Sequence, residues 1–322
     1  MRVWHEITCG RLEMMMDKVL VVGGANTDIV GAPDARLRAR DSNPGHVTHA
    51  AGGVARNIAE NLARLGVQTV LVTAFGDDAH GAMRRQECAS LGIDVGRGVL
   101  TPGIPGSVYL ALLDDTGDLA AAVSDMRALE AMGPEMMDDA LEGIGELGAL
   151  VLEANLRGDT LARIRQIEPQ APLFLECVSV AKARRLTPLL PSAWAVHANI
   201  AEAEAVCGRK FDRSVVGALE AARDLVVSGV RCAYVTVGER GTAWASRSSA
   251  GTFAAPHGQV VNATGAGDAF MAGVVSATLA GHEAREVAAY ATACAAITLR
   301  TERTVAEELT RSRAIAEMRE VL

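Results

Sequence analysis

The chain has 322 residues, of which 49% are apolar and 22% charged, so it can build a sizeable core and is not disordered in composition. A net charge of −8 argues against nucleic acid as a partner. Six scattered cysteines without C-x-x-C or zinc spacing read as reduced thiols, and apolar runs such as 269–280 fall short of the roughly 20 residues that span a bilayer, so a cytoplasmic protein with no membrane partner is expected. Aromatic residues are only 3%, so the core has to be built from Ala, Val, Leu, Ile and Met.

In chain order, residues 1–16 lack a signal-peptide pattern and read as a disordered N-terminal extension preceding one domain over 17–322. Lys18–Gly24 is a buried, parallel-type strand, and Asn26 and Asp28 stand just past its carboxyl end, where open α/β sheets bind small molecules. Residues 33–50 are polar, with a turn at Asn43-Pro44-Gly45 and alternation over 46–50. Gly52-Gly53 opens a helix over 54–65, followed by a strand at 69–74 and a helix at 79–91 with Asp77 and Asp78 as its caps. Alternating segments at 107–113 and 119–123 predict an antiparallel hairpin, which with the earlier polar segment makes a small lid sheet (about 29–50 and 104–124). Strand–helix alternation then resumes: helix 134–147, strand 149–153, helix 158–167, strand 173–176, helix 178–189, strand 193–197, helices 201–207 and 214–228, and strand 233–237. A Gly238–Gly241 turn leads into a hairpin over 242–253, then a short strand at Val260-Val261, and helices over 269–280, 283–300 and 304–319 close the chain. This rhythm predicts a doubly wound, mostly parallel α/β sandwich with a small antiparallel β lid.

The chemistry concentrates in Asn262-Ala263-Thr264-Gly265-Ala266-Gly267-Asp268-Ala269-Phe270. Glycines let backbone amides converge on one point, and the following helix adds orphan donors and a positive dipole end, so the turn suits an anion. An acid inside an anion site is explained if Asp268 is a general base taking a proton from an alcohol while the Gly265, Ala266 and Gly267 amides stabilise a transferring phosphoryl group. The plainer alternative is an acid that complements a helix N-terminus. The first strand lacks G-x-G-x-x-G and no Walker loop occurs, which leaves this late turn as the phosphate-binding candidate.

Thr264–Phe270 has the form T-G-A-G-D-x-F, and Gly52-Gly53-Val54-Ala55-Arg56-Asn57 is a Gly-Gly pair leading into a helix that carries Asn. In both motifs, and from about Lys18 to Leu322, the chain resembles the ribokinase-like (PfkB) carbohydrate kinases. The lid segments around Asn43-Pro44-Gly45, Tyr109–Asp114 and Ser124-Asp125-Met126 are most similar to those of the pseudouridine kinases within that family. The resemblance implies ATP- and Mg²⁺-dependent phosphorylation of the 5′-hydroxyl of a ribosyl compound, with Asp268 as base and Gly265–Gly267 as anion hole. It places Asp28, Asn26, Gly53, Asn57, Glu153 and, in the lid, Asn43 at the substrate. It places Asn199, Thr236, Gly238, Gly241, Thr264, Gly265 and Gly267 at the nucleotide, and Glu202 at Mg²⁺ through water. Where many ribokinases have Asp, this chain has Asn262, which leaves K⁺ activation open; Glu176 and His197 also depart from the usual Asp and Lys.

Other readings stand beside this one: a ribokinase-like sugar kinase, another nucleoside kinase, or a non-catalytic sugar-binding protein on the same fold. His46, His49, His197 and His257 read as surface or loop residues, while Asn43, Ser107 and Asp125 stand at the lid rim where they would meet a base. Exposed lid edges suggest a homodimer.

Overall fold

The computed structural model describes residues 18–255 and 258–322; the expected extension at 1–16 and His257 lie outside these residues. Strand β1 (Val19–Val22) is completely buried, with Leu20 and Val22 in one apolar cluster and Val19 and Val21 in another on the opposite side. A strand covered on both faces reads as an unbroken apolar run, as this one does. It lies inside an eight-stranded sheet ordered β12-β11-β10-β9-β8-β7-β1-β4. The other strands are β4 (Thr69–Val72), β7 (Ala149–Glu153), β8 (Leu173–Glu176), β9 (Ala193–Asn199), β10 (Cys232–Thr236), β11 (Thr242–Ser246) and β12 (Ala250–Phe253). The six strands from β10 to β4 pair in parallel, and β11 and β12 add an antiparallel hairpin at one edge.

The layer against Val19 and Val21 contains α1 (Val54–Arg64), α8 (Ala266–Leu279) and α9 (Ala284–Leu299). With few aromatics available, α8 and α9 pack through small residues: a Cβ on Gly273 would stand 2.7 Å from Ala291 Cα. The opposite layer includes α3 (Arg127–Glu130), α4 (Pro134–Leu141), α5 (Gly158–Ile167), α6 (Ile200–Cys207) and α7 (Val215–Val227). Two further α-helices are α2 (Ala79–Ser90) and α10 (Arg311–Val321).

A second sheet, ordered β3-β2-β5-β6, is formed by β2 (Asn26–Pro33), β3 (Gly45–Gly52), β5 (Val108–Leu113) and β6 (Leu119–Asp125). It is the expected lid, but it is mixed: β2 pairs with β5 in parallel, flanked by antiparallel β2–β3 and β5–β6 ladders. The two lid segments are separated by the βα units of the main domain, so the strands meeting at the centre enter in the same direction.

Several boundaries differ from expectation. The segment after β8 is a 3-10 helix at Ala183–Ser192, because Pro188 and Pro191 remove amide donors and Val178 takes a positive φ of 63°. Helix α4 ends at Leu141, short of 147, and α10 begins only at Arg311 because Thr310 caps it there. Val260 and Val261 do not form a strand and are half-exposed; Val261 and Asn262 donate their amides to Leu299 O, outside any sheet. Asp78 caps α2 by accepting from Gly81 N, whereas Asp77 accepts from Gly103 N across the loop.

Candidate active site

Parallel register sets polar residues side by side at the carboxyl ends of the strands, where the apolar pattern stops. Glu153 at the end of β7 pairs with Glu176 of β8, Glu176 with His197 of β9, and Thr236 of β10 with Asn199. Ligands of open α/β sheets bind in the crevice outside these ends.

Glu153 is fully buried; Oε1 accepts from Gly24 N at 2.7 Å and Oε2 from Asn155 N at 2.7 Å. Burial outweighs these donors and pushes its carboxyl up to about 7. Asp28, on β2, accepts from Asn26 Nδ2 at 2.5 Å, and burial raises its pKa as well. The Gly52-Gly53 pair is required sterically. A Cβ on Gly52 would fall 2.4 Å from the Asp28 carboxylate, and one on Gly53, whose φ is +101°, would fall 2.4 Å from Gly24 O. Helix α1 can therefore start directly against β1 and β2.

Asn57, in the first turns of α1, donates from Nδ2 to Asp268 Oδ2 at 2.8 Å across 211 residues of sequence. Its own Oδ1 accepts from Arg56 Nη1 at 2.8 Å, which fixes the amide so that its NH₂ points at Asp268. Arg56 in turn pairs with buried Glu60, which Arg64 also holds. Asp268 is almost fully buried in the first turn of α8. Burial, with Glu176 and Glu153 nearby, pushes its carboxyl well above the usual carboxylate range despite the Asn57 bond. The turn before it has Gly265 at φ +84°, and a Cβ there would collide with Thr304 O at 1.9 Å. Helix α8 has no side-chain cap, so the amides of Ala266 and Gly267 at its start suit an external acceptor. Thr264 donates its amide to Asn262 Oδ1 at 2.9 Å, and Asn262 Nδ2 donates to Glu302 O at 3.0 Å.

Asn199 and Glu202 form a reciprocal capping box at the start of α6. Asn199 Oδ1 accepts from the Ala201 and Glu202 amides, and Glu202 Oε2 accepts from Asn199 N at 2.9 Å. Burial and Glu176 raise the Glu202 carboxyl. Gly238 and Gly241 both take positive φ in the short turn after Thr236, and a Cβ on Gly241 would strike Phe253 O.

The expectation for His197 is overturned. It is 3% exposed, donates from Nδ1 to Glu176 Oε2 at 2.8 Å, and has Nε2 3.3 Å from Thr236 Oγ1. Its ring stacks on Phe270 at 4.6 Å, and a Cβ on Gly267 would sit 3.4 Å from its Cε1. Burial pulls the imidazole pKa down, but Glu176, Glu202 and Asp268 pull harder and leave it raised. This pair, and Arg56, were not singled out as site residues from sequence. The available signal was a charged or titratable side chain inside the apolar strands Leu173–Glu176 and Ala193–Asn199.

The rim is less committed. Asn43 spends its amide on its own loop, accepting from Arg38 N and donating to Arg38 O and Asp41 O. Asp125 is paired with Arg127, which holds its carboxyl down at about 2. Ser107 Oγ is buried without a hydrogen-bond partner among the described residues. His46 is exposed beside Asp34, and His49 stacks on His80. Among the described residues no cluster of three His, Cys, Asp or Glu side chains has the geometry of a metal site, and no helix is long and apolar enough to cross a membrane.

Residues 16–311 match the family described as pfkB family carbohydrate kinase. The chain is 32% identical over 289 residues to a pseudouridine kinase from Escherichia coli, covering 89% of this chain and 92% of that protein. It is 30% identical over 290 residues to an ATP-dependent ribose-1-phosphate kinase from Halopiger xanaduensis, covering 88% and 92%. A solved carbohydrate kinase from Agrobacterium tumefaciens superposes with a TM-score of 0.84 at 28% identity, over 95% of this chain and 98% of that one. The chain belongs to the pfkB family of carbohydrate kinases and is a phosphotransferase with an alcohol group as acceptor.

Proposed function

We propose that the protein transfers the γ-phosphoryl group of ATP to the 5′-hydroxyl of a ribosyl compound, with pseudouridine as the substrate. The observation that carries the reading is the buried Asn57–Asp268 hydrogen bond, which joins the expected sugar-binding helix to the expected catalytic turn. The donor set fits the cofactors: an uncapped glycine turn for phosphate, and a buried acid in the first turn of α6 for a hydrated divalent ion. When bound, ATP and Mg²⁺ supply the phosphoryl group and neutralise its charge. Asp28, Asn26, Asn57 and Glu153, with the close backbone at Gly53, hold the ribose hydroxyls. Asp268 accepts the proton of the attacking hydroxyl, and the Gly265, Ala266 and Gly267 amides face the transferring oxygens. Thr236, Gly238, Gly241, Asn199 and Thr264 line the nucleotide side, and Glu202, with one oxygen engaged in the capping box, would hold Mg²⁺ through a water by its other oxygen. Asn262 is a neutral amide already used in its own turn, so K⁺ is not expected to be required. The five cysteines among the described residues are free thiols, as a reducing cytoplasmic setting, where ATP is also available, would keep them.

The test is an ATP-coupled assay of the full chain against pseudouridine, uridine, ribose and ribose 1-phosphate. Pseudouridine is expected to give the highest kcat/KM. Asp268→Asn is expected to lower kcat at least about a hundredfold without loss of the folded circular-dichroism signal. Turnover of free ribose but not pseudouridine would refute the substrate, and near-normal turnover by D268N would refute the mechanism.

The homodimer belongs to the proposal too, through a face rather than an edge. Val47, Leu110, Leu112 and Val123 are exposed, and the ladders put them on the side of the lid opposite Asp28.

A further inference from the structure

A cavity of about 420 Å³ opens beside the candidate sugar site and is lined by Leu129, Asn155, Arg157, Lys182 and Arg185, with Met126 at its lid end. Its size is within the range of small-ligand pockets. It touches the sugar site through two shared residues. Asn155 N is the donor to Glu153 Oε2, and a Cβ on Gly24 would lie 3.2 Å from Leu129 Cδ2 and 3.7 Å from Asn155 Nδ2. The cavity therefore lies next to Glu153 and Gly24, with Asn155 and Leu129 between.

Its charge is unusual for this chain. Three cationic side chains face one space in a protein of net charge −8, with Glu130 as the one acid in the lining and Asp159 paired to Arg157 outside it. Two of the cations are held in place. Lys182 Nζ donates to Asn155 Oδ1 at 2.6 Å, and Arg185 Nη1 donates to the carbonyls of Ala154, Asn155 and Leu156. An ammonium has three donors, so the Asn155 bond orients Lys182 while leaving it able to bind a second acceptor. The Asn155 amide, with its oxygen taken by Lys182, presents its NH₂ as a further donor. A wall of fixed donors selects a ligand group rich in oxygen acceptors.

Resting on the ribosyl-kinase reading, we propose that this cavity is a subsite for the substituent on C1 of the ribose, recognising oxygen acceptors through Lys182, Asn155 and Arg157. Two substituents share that chemistry: the carbonyl oxygens of a uracil ring and the oxygens of a C1 phosphate. In both cases Lys182 is the specificity-determining residue, because it is oriented from the side that also holds Glu153.

The experiment is calorimetric titration of the full chain with ribose, pseudouridine and ribose 1-phosphate in the absence of ATP, for wild type, Lys182→Met and Lys182→Arg. Wild type is expected to bind at least one C1-substituted compound more than tenfold tighter than ribose. K182M is expected to remove that advantage while leaving ribose affinity unchanged, and K182R to restore part of it. Tighter pseudouridine assigns the cavity to a base, and tighter ribose 1-phosphate assigns it to a phosphate; either supports the subsite. Equal affinities for all three compounds, no detectable binding, or a K182M loss that is the same for ribose, would overturn it. Turnover is scored separately: selective binding of pseudouridine without phosphorylation would refute the proposed reaction and leave the subsite standing.

Discussion

Glu153 holds two amides, from Gly24 and Asn155, yet burial still lifts its carboxyl from 4.5 to about 7. The folded protein therefore keeps a proton there that the unfolded chain releases near 4.5. The stability this contributes is fully present below 4.5 and is lost as pH rises through 7, by about 3 kcal/mol. Glu153→Gln is expected to flatten the fall in Tm over that window, as thermal melts at stepped pH would reveal; an equally steep fall in the variant would assign the titration to another group. Burial raises Asp268 in the same direction. Because a base must be ionised to act, kcat is expected to decline on the acid side well above the ordinary carboxylate range. From sequence, Asp268 was readable because an acid inside a glycine anion turn calls for a reason. His197 was not: an imidazole exposed at a strand end and one buried against Glu176 look alike until β8 and β9 are placed in register.

At the scale of elements, α1 and α8 are held together by side chains of opposite roles. Arg56 sets the Asn57 amide, and Asn57 reaches Asp268, so the helix that starts at the Gly-Gly pair orients the acid of the other. Arg56→Met removes a buried partner of Glu60 and is expected to cost about 3 kcal/mol, since Arg64 still holds the carboxylate. It is also expected to lower kcat with little change in KM for ATP, because the freed amide can rotate; chemical denaturation and steady-state kinetics measure the two effects. A variant that loses stability but keeps kcat would restrict Arg56 to structure. Gly265→Ala faces both a positive φ and the Thr304 carbonyl. Strain of about 1–3 kcal/mol and displaced amides are expected to reduce kcat roughly a hundredfold, against a modest change in Tm. The glycines in these motifs were legible because only they tolerate such backbone, whereas Val260-Val261 reads as a strand by composition but lies outside both sheets, with the Val261 amide on Leu299 O at the end of α9.

For the whole molecule, the lid's second face is packed near His49, which stacks on His80, but among the described residues nothing covers Val47, Leu110, Leu112 and Val123. Val47 and Val123 are each 64% exposed, which is costly for a monomer unless another surface meets them. A two-fold copy of the same sheet satisfies this, and light scattering of the wild type is expected to give twice the mass of one chain. The double variant Leu110→Glu, Val123→Lys is expected to halve that mass; a monomeric wild type would refute the assignment. The sequence pointed to the edges of these strands. Only their register, with β2 and β5 parallel at the centre, separates the face that carries Asp28 from the face that carries Leu110.

What the chain determines by itself is what depends on local backbone chemistry and on unbroken burial. Examples are the Gly52-Gly53 and Gly265–Gly267 turns, the fully apolar β1, and the acid that follows the anion turn. Tertiary structure decided what depends on partners far away in sequence. Asn57 and Asp268 are 211 residues apart, His197 owes its burial to Glu176 and Phe270, and Lys182 faces a cavity built by the segments after β7 and β8 together with α3. The physical reason is that a turn is fixed by its own φ and ψ, while the charge state and aim of a buried side chain are set by whatever packs against it.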